Sequence, residues 1–491
     1  MKLPELLRHI PYFQTNKPLK DIEVNGVEMD SRNVKEGDLF ICLPGEHFDG
    51  HDFAQQAVQQ GAAALICERP LEVSIPYIVV PDTNRAMGSI ANTFYHYPTT
   101  SMQLIGITGT NGKTSISYLL DEIFQMNRHQ TGLIGTIQMK INESVYPVKN
   151  TTPDSLFLQK SFHEMKERNV DTAVMEVSSH ALDKGRVHGC DFDVAVFTNL
   201  SQDHLDYHGN MDEYLHAKSL LFAQLGNTFN PEKPKFAVIN EDDPAADVMK
   251  RSTAQPVLSY GIQKEAAIMA DNLQLHEKGT TFTLTTPEGE VTINSSLMGK
   301  FNVYNMLAAA GAAIASGVKL DVIKQALEAT KGVRGRFEPV EEGQPFGVVI
   351  DYAHTPDSLH NVLQTMQEFC RGKVRVVVGC GGDRDRTKRP LMADVAMEFG
   401  DHAIFTSDNP RTEPPEQILD DMVEHLEAGG YERIVDRKEA IRFAVEKAQP
   451  GDMILIAGKG HETYQDINGK RYEFDDREVA RELLKQLKES K

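Results

Sequence analysis

A glycine-rich segment near residue 110 has the composition of a phosphate-binding loop. It reads Gly109-Thr110-Asn111-Gly112-Lys113-Thr114. Glycine lets backbone N–H groups surround an anion, Lys113 places a positive charge between phosphates, and the Thr114 hydroxyl suits Mg²⁺. The general pattern G-x-x-x-x-G-K-S/T is not met, because its first glycine would fall on Ile107. A chance turn is the alternative, and the loop alone names no reaction, since motors, kinases and ligases all use one.

Other polar side chains follow apolar segments that have the character of buried strands. Glu176 ends one of them and suits Mg²⁺ bound through oxygen, although a helix cap at Ser178 is the alternative. The segment 199–208 is dense in polar groups, for which a solvated loop is the simpler explanation. Lys218 lies on an otherwise apolar helix, where a lysine usually extends to the surface. Similar polar loops follow later strands at 351–356, 381–386, 407–411 and 458–462.

Alternating strands and helices must position these groups. The strand Leu104–Ile107 precedes the phosphate loop, and apolar residues at helical spacing follow it. After 332–336, which is a hinge candidate, strands and helices alternate again, as in a doubly wound parallel sheet. Ligands bind at the carboxyl ends of the strands in such sheets, so two sheets facing each other would enclose a cleft. We predict an α/β fold of three domains, with limits at 1–99, 100–332 and 333–491.

Bulk properties exclude several classes of protein. A chain of 491 residues is too long for one core, because single domains usually stop near about 150 to 250 residues. The net charge of −20 argues against nucleic-acid binding. Five scattered cysteines indicate reduced thiols, and neither a signal peptide nor a membrane-spanning stretch is expected. These properties predict a cytoplasmic protein without membrane insertion.

Taken together, the segments resemble the Mur ligases of peptidoglycan synthesis. The resemblance runs in order from Asp30-Ser31-Arg32 to Gly458–Glu462, which is nearly the whole chain. It implies an N-terminal domain that binds the UDP-linked substrate, a central P-loop ATPase domain with a parallel sheet, and a C-terminal Rossmann-like domain that binds an amino acid. The string Asp408-Asn409-Pro410-Arg411 is similar to the diaminopimelate recognition motif of one member.

The resemblance therefore implies an ATP-dependent ligase that adds meso-diaminopimelate to UDP-N-acetylmuramoyl-L-alanyl-D-glutamate. The free carboxylate would take the γ-phosphate of ATP to form an acyl phosphate, and the diaminopimelate amine would then displace phosphate. Mg²⁺ is the implied cofactor, and a monomer is expected. The segment 332–336 would act as the hinge on which the C-terminal domain closes.

The resemblance also implies roles for individual residues. ATP contacts are expected at Gly109, Thr110, Asn111, Gly112, Lys113, Thr114, Ser115, Asn305, Arg336 and Asp351. Contacts to the UDP-linked substrate are expected at Ser31, Asn150, Thr151, Thr152, Ser178 and Arg186. Diaminopimelate contacts are expected at Arg384, Asp408, Asn409, Pro410, Arg411, Gly458 and Glu462. The catalytic set is Lys113, Glu176, His204 and Lys218, and the metal ligands are Thr114, Glu176, His204 and Lys218 as a carbamate. Lys184 departs from the family pattern, in which some relatives have a glutamine that touches substrate.

Three alternatives remain open from the sequence. Folylpolyglutamate synthetases share the ATPase architecture, but the long N-terminal domain and the string 408–411 count against them. A lysine-adding relative is closer, and the same string separates it from a diaminopimelate ligase. A nucleotide-gated scaffold protein is the third alternative, and the density of polar loops at strand ends in two domains argues against it.

Overall fold

The computed structural model of the protein describes residues 1–45, 48–276, 279–427 and 429–489. Within these ranges the strands build three main sheets, each from a different, consecutive part of the chain. Helices pack on the sheets, so the predicted α/β fold with three domains is confirmed. The limits at 1–99, 100–332 and 333–491 stay a prediction. Every helix among the described residues is too short or too polar to cross a lipid bilayer.

The N-terminal sheet has five strands in the order β1-β5-β4-β3-β2, and only β1 runs antiparallel to its neighbour. The strands are β1 (Gln14–Thr15), β2 (Gly26–Glu28), β3 (Asp38–Ile41), β4 (Ala64–Cys67) and β5 (Tyr77–Val79). The helices are α1 (Leu3–Leu6), α2 (Ala54–Gln59) and α3 (Thr83–Phe94), with 3₁₀ helices at Gly50–Phe53 and Pro98–Ser101. β4 is buried throughout, as its apolar sequence predicts.

The central sheet is parallel over most of its width and ends in antiparallel strands at both edges. Its order is β16-β15-β14-β13-β12-β11-β6-β10-β7-β8-β9. These strands are β6 (Gln103–Thr108), β7 (Thr131–Ile134), β8 (Met139–Ile141), β9 (Ser144–Tyr146), β10 (Thr172–Glu176), β11 (Val194–Phe197), β12 (Phe236–Asn240), β13 (Val257–Gly261), β14 (Ile268–His276), β15 (Gly279–Thr286) and β16 (Gly289–Ser295). β6, which leads into the phosphate loop, lies between β11 and β10. The loops after these three strands therefore meet at one edge of the sheet.

The helices of the central domain cover both faces of this sheet. They are α4 (Lys113–Met126), α5 (Ser155–Glu167), α6 (Ser179–Asp183), α7 (Leu205–His208), α8 (Met211–Ala223), α9 (Ala246–Arg251), α10 (Lys300–Ala315) and α11 (Leu320–Ala329). Alternate residues of β6 enter different cores, since Ile105 and Ile107 pack with α4 and α10 while Leu104 packs on the other face. A parallel strand buried on both faces needs such a continuous apolar run.

The C-terminal sheet has the order β17-β18-β22-β19-β20-β21 and is parallel except for β17. Its strands are β17 (Glu338–Pro339), β18 (Gly347–Asp351), β19 (Val374–Val378), β20 (His402–Phe405), β21 (Tyr431–Arg433) and β22 (Met453–Ala457), followed by the hairpin β23 (Tyr464–Ile467) and β24 (Lys470–Glu473). Its helices are α12 (Pro356–Phe369), α13 (Lys388–Phe399), α14 (Pro415–Val423), α15 (Arg437–Lys447) and α16 (Asp476–Glu489). The predicted doubly wound arrangement is confirmed for this part of the chain.

Candidate active site

The phosphate loop, defined as Gly109–Thr114, joins β6 to α4, so the strand and the helix predicted on either side of it are confirmed. It is tied to the segment that follows β11. The Thr198 hydroxyl donates to the Asn111 carbonyl at 2.7 Å, and the Thr110 N–H donates to the Asn199 carbonyl at 2.9 Å. The Asn111 N–H donates to the side-chain oxygen of Asn199 at 2.9 Å. The loop is thus held in shape by the neighbouring strand end, which leaves its other N–H groups available for a ligand.

Two glycines of the phosphate loop have backbone angles that other residues rarely adopt. Gly109 has φ 142° and Gly112 has φ 90°. A Cβ at Gly112 would lie 2.5 Å from the side-chain oxygen of Asn305, which α10 directs at the loop. Asn305 is thereby brought to the phosphate loop from a position nearly two hundred residues later in the sequence, as the resemblance implied.

Glu176, the last residue of β10, lies next to the start of α4. Its carboxylate accepts from the Thr114 hydroxyl at 3.0 Å and from the Thr136 hydroxyl and N–H at 3.0 and 2.9 Å. Ser178 caps α6 by accepting from the Ala181 N–H at 3.3 Å, so the cap considered above also exists. The sequence analysis missed Thr136, which follows β7 at the same edge of the sheet.

Two lysines, the partly buried Lys113 and the buried Lys218, approach one carbonyl oxygen of the phosphate loop. Lys113 and Lys218 each donate to the Gly109 carbonyl at 2.8 Å, and Lys113 also donates to the Thr110 carbonyl at 2.8 Å. Lys218 is only 1% exposed and lies over the ring of Tyr214, so the alternative that it extends to the surface is wrong. Burial, reinforced by the charge of Lys113, lowers the pKa of Lys218 well below its ordinary value. Both effects make the neutral amine easier to reach than it is for an ordinary exposed lysine.

His204 lies beside Asp203 at the start of α7, with 3.2 Å between its Nε2 and a carboxylate oxygen of Asp203. Burial and the neighbouring positive charges lower the pKa of His204, which favours the neutral imidazole that binds metals. Among the described parts of the chain, no three His, Cys, Asp or Glu side chains form a ready metal cage. Mg²⁺ needs no such cage, because one or two carboxylates, a hydroxyl and substrate phosphates suffice. The donor set of Thr114 and Glu176 fits that ion.

Arg336, at the start of the C-terminal domain, reaches back to the phosphate loop. Its guanidinium donates to the Thr114 hydroxyl at 3.2 Å and lies over the ring of Tyr352 at 4.4 Å. Asp351 is buried at the end of β18, and burial raises its pKa. Its two carboxylate oxygens accept from the N–H groups of Phe337 and Ala353, each at 2.7 Å. Asp351 therefore shapes the segment beside Arg336.

A cleft of about 740 Å³ lies between the central and C-terminal domains. The predicted site residues that line it are Thr110, Asn111, Gly112, Lys113, Thr114, Ser115, Thr151, Glu176, Ser178, His204, Asn305, Arg336 and Asp351. Asp357 of α12 crosses the cleft: one of its oxygens accepts from the Asn111 side-chain amide at 2.7 Å and from the Ser201 hydroxyl at 2.9 Å. Sequence analysis missed Asp357, because nothing in its surroundings predicts a partner on another domain.

One recess of the cleft was not predicted at all. It is lined by Asp242 and by Tyr304, which precedes Asn305 in α10, and Asn361 of α12 also lines the cleft. The Tyr304 hydroxyl donates to Asp242 at 2.8 Å, and Asp242 also accepts from three backbone N–H groups of residues 262–264. Asp242 follows the carboxyl end of β12, so the signal that identified the other polar loops was present here too.

Four of the six residues predicted for the UDP-linked substrate form a group near Glu176. Thr152 donates to the Glu176 carbonyl at 2.8 Å, and Arg186 donates to the Thr152 carbonyl at 3.0 Å. The hydroxyls of Thr152 and Ser178 are 3.3 Å apart. Thr151 is 3.1 Å from Thr136 through their hydroxyls.

Two further residues of this predicted set lie outside that group. Asn150 is exposed. Ser31 belongs to the N-terminal domain and donates to Gln56 at 3.1 Å. The charge of Lys149, the neighbour of Asn150, lowers the pKa of Asp30, the neighbour of Ser31, after the larger effect of Arg32.

The residues predicted for diaminopimelate meet at the ends of β19, β20 and β22. Asn409 donates to Glu462 at 2.7 Å, and Arg411 donates to the Gly382 carbonyl at 2.6 Å. A Cβ on Gly458 would lie 2.5 Å from a carboxylate oxygen of Asp408. Arg384 and Pro410 flank the same loops: a Cβ on Gly381 would lie 3.8 Å from Cγ of Arg384, and one on Gly382 would meet the Pro410 carbonyl.

This cluster adjoins the main cleft through two aromatic rings. The rings of His461 and Tyr352 are 5.2 Å apart, and Tyr352 lines the cleft next to Arg336. Lys459, which the sequence analysis missed, is fully buried and donates to both Asn409 and Glu462 at 3.1 Å. The structure thus brings together every residue predicted for the amino acid. The ring of Tyr352 lies between this cluster and Arg336, which contacts the phosphate loop.

Known proteins resemble this chain over its whole length. Three family profiles match in order, "Mur ligase family, catalytic domain" at residues 23–95, "Mur ligase middle domain" at 107–313 and "Mur ligase, glutamate ligase domain" at 335–460. The chain is 57% identical over 490 residues to UDP-N-acetylmuramoyl-L-alanyl-D-glutamate–2,6-diaminopimelate ligase of Oceanobacillus iheyensis, with 99% of each chain covered. It is 57% identical over 484 residues to the ligase of the same name from Bacillus cereus, covering 99% of this chain and 98% of that one.

A solved structure agrees with these relatives. The structure of a UDP-N-acetylmuramoyl-L-alanyl-D-glutamate–2,6-diaminopimelate ligase superimposes with a TM-score of 0.72 at 36% identity, covering 99% of this chain and 100% of that one. The phosphate loop, the cleft and the full-length similarity all point to one group of enzymes, and the family predicted from the sequence is confirmed. The chain belongs to the Mur ligase family.

Proposed function

We propose that this protein is an ATP-dependent ligase that joins meso-diaminopimelate to UDP-N-acetylmuramoyl-L-alanyl-D-glutamate during the synthesis of peptidoglycan precursors. The full-length relatives carry the name of that reaction. The observation that carries the proposal is that side chains from two domains contact the hydroxyl of Thr114 in the phosphate loop. Its hydroxyl contacts Glu176 of the central domain at 3.0 Å and Arg336 of the C-terminal domain at 3.2 Å.

The phosphates of ATP would bind at the phosphate loop, and the nucleoside would occupy the recess beside Asn305. Lys113 and Arg336 supply positive charge near Thr114, where the γ-phosphate would transfer to the substrate carboxylate. The bond between the γ-phosphorus and ADP breaks as a carboxylate oxygen bonds to phosphorus, which gives an acyl phosphate. The amine of diaminopimelate then attacks the acyl carbon, loses a proton and releases phosphate.

Positioning accounts for the protein's part in this chemistry, because phosphoryl transfer needs aligned reactants and neutralised charge. Thr151, Thr152, Ser178 and Arg186 would hold the peptide end of the UDP-linked substrate near Glu176, with Ser31 and Asn150 further along it. The amino acid would enter from the cluster at Asp408–Arg411, Arg384, Gly458 and Glu462. Closure of the C-terminal domain would exclude water from the acyl phosphate.

Thr114, Glu176 and His204 would hold Mg²⁺, which when bound neutralises charge on the phosphates. We propose that Lys218 carries a carbamate. A carbamate forms only from a neutral amine, and burial beside Lys113 favours that form. The modification would turn this amine into an anion beside the positive charge of Lys113.

We further propose that the three domains divide at residues 99 and 332, and that the enzyme works in the cytoplasm as a monomer. The arrangement of the sheets supports this division, because residue 99 lies between β5 of the first sheet and β6 of the second, and residue 332 lies between β16 of the second and β17 of the third. The cysteines among the described residues form no disulfide, which fits a reducing compartment.

A phosphate-release assay tests the function directly. The protein is mixed with ATP, Mg²⁺ and the UDP-muramoyl dipeptide, and either meso-diaminopimelate or L-lysine is added. We expect release that requires all components and is much faster with meso-diaminopimelate. Release without the dipeptide would contradict the ligase assignment, and equal rates with both amino acids would contradict the assignment of the acceptor.

A further inference from the structure

Arg437, the first residue of α15, is buried beneath the amino-acid cluster and has three short polar contacts and one longer one. Its guanidinium donates twice to Asp476, the first residue of α16, with both distances 2.7 Å. It also donates to the Ala457 carbonyl at 2.9 Å and to the Ser407 carbonyl at 3.4 Å. Both side chains of the Arg437–Asp476 pair are 0% exposed, so neither can touch a substrate.

The two carbonyls belong to the residues that immediately precede the amino-acid loops. Ser407 precedes Asp408, and Ala457 precedes Gly458. These loops leave β20 and β22, which do not pair with each other but each pair with β19 between them, so beyond the strand ends the two loops share no ladder hydrogen bonds. The spacing has little tolerance, because any Cβ on Gly458 would lie 2.5 Å from the Asp408 carboxylate.

The charge of Arg437 also acts on this cluster. Burial opposes its positive charge, but the carboxylates of Asp476, Asp408 and Glu462 together raise the pKa of Arg437 above its ordinary value. A buried ion pair is costly to desolvate and often contributes little net stability. The planar fork of arginine, by contrast, fixes several acceptors at set distances, which a lysine cannot do.

We propose that Arg437, held by Asp476, is a positioning residue for the acceptor amino acid. Arg437 holds the segments Asp408–Arg411 and Gly458–Glu462 at a fixed separation. Asp476, at the start of α16, in turn holds the guanidinium of Arg437 in place. The role rests on the proposed function, since it acts through the residues assigned to diaminopimelate.

The test compares Asp476→Asn and Arg437→Lys with a matched control. Lys438 and Glu482 form an exposed ion pair of 3.4 Å between the same two helices, away from the loops, so Glu482→Gln removes an α15–α16 contact only. The KM values for meso-diaminopimelate and ATP are measured with the other substrates saturating, together with the melting temperature. We expect each pair variant to raise the KM for diaminopimelate about tenfold or more while the KM for ATP changes less than about twofold. Glu482→Gln should change neither.

A double variant separates positioning from general weakening of the fold. Because Arg437 acts through the loop that carries Arg411, Asp476→Asn should raise the KM for diaminopimelate less in the Arg411→Ala background than in the wild type. Equal effects in both backgrounds, or a parallel rise in both KM values, would overturn the proposal. If Asp476→Asn does not fold, Arg437→Lys, which keeps the buried charge, decides the matter by the same criteria.

The variant Arg411→Ala distinguishes a failure of the proposed amino-acid site from a failure of the positioning role of Arg437. If Arg411→Ala leaves the KM for diaminopimelate unchanged, the proposed amino-acid site is wrong. If Arg411→Ala raises that KM while Asp476→Asn and Arg437→Lys do not, the site stands and the positioning role is refuted.

Discussion

Replacement of Gly109 by alanine tests whether the phosphate loop depends on its contact with the end of β11. A Cβ at this position would overlap the Thr198 hydroxyl oxygen and lie 3.1 Å from the Asn199 backbone nitrogen. Gly289 provides a matched control. Its φ of 133° is close to the 142° of Gly109, yet a Cβ there meets no atom within 4 Å. Both alanines bear the backbone strain of a region nearly restricted to glycine, which costs about 1–3 kcal/mol.

The expected difference between the two variants follows from the hydrogen bonds around the loop. The alanine at 109 must push Thr198 and Asn199 away, which weakens the bonds from Thr198 to Asn111 at 2.7 Å and from Thr110 and Asn111 to Asn199 at 2.9 Å. Two or three such bonds at about 1 kcal/mol each amount to about 2–3 kcal/mol. If that energy orders the loop for phosphate, kcat/KM for ATP should fall about 30- to 150-fold.

The assay is phosphate release at saturating dipeptide and diaminopimelate with ATP varied, after the folded fraction of each variant is measured by thermal unfolding. We expect Gly289→Ala to lose stability without losing kcat/KM for ATP. The reasoning is refuted if Gly109→Ala, corrected for its folded fraction, keeps a kcat/KM for ATP within about threefold of Gly289→Ala.

Three further predictions concern the remaining parts of the site. Lys218→Ala should reduce kcat severely, and excess bicarbonate or a short carboxylic acid should restore part of it; full activity of the variant would exclude the carbamate role. Arg411→Ala should raise the KM for diaminopimelate more than the KM for ATP, because the guanidinium lies in the amino-acid cluster, and the reverse ranking in steady-state kinetics would count against that site. Chelation of divalent cations should abolish phosphate release, and added Mg²⁺ should restore it; turnover that persists with chelator would contradict the role given to Thr114 and Glu176.

The sequence predicted the parts of the site that lie along single strand–loop–helix units. The phosphate loop has local signals on both sides, an apolar strand before it and helical spacing after it, and β6 and α4 confirm both. Glu176 was found because a carboxylate directly after a buried strand stands out. Such signals depend only on residues close in the sequence, so they can be recognised without any knowledge of the tertiary structure.

Contacts between residues far apart in the sequence could not be predicted from such local signals. Asp357 appears in the sequence as an ordinary acidic residue in the first turn of a helix, and its partners lie in another domain. Arg437 and Asp476 appear as charged residues at two helix starts, where exposure is the usual outcome. The antiparallel strands β14 to β16 also went unpredicted, because their mixture of polar and apolar residues is a weaker signal than the apolar runs of the parallel strands.

The contact of Asp357 with Asn111 and Ser201 has a consequence for attempts to exchange acceptor specificity between family members. A transplanted C-terminal domain would bring its own amino-acid loops, but it would also bring whatever side chain stands at the position of Asp357. That side chain determines whether the recipient's phosphate loop finds a bonding partner across the cleft. A chimera should therefore keep a hydrogen-bond acceptor at the position of Asp357 before its amino-acid site is optimised. Without that acceptor, even a fully selective C-terminal domain would leave Asn111 of the phosphate loop without its hydrogen bond across the cleft.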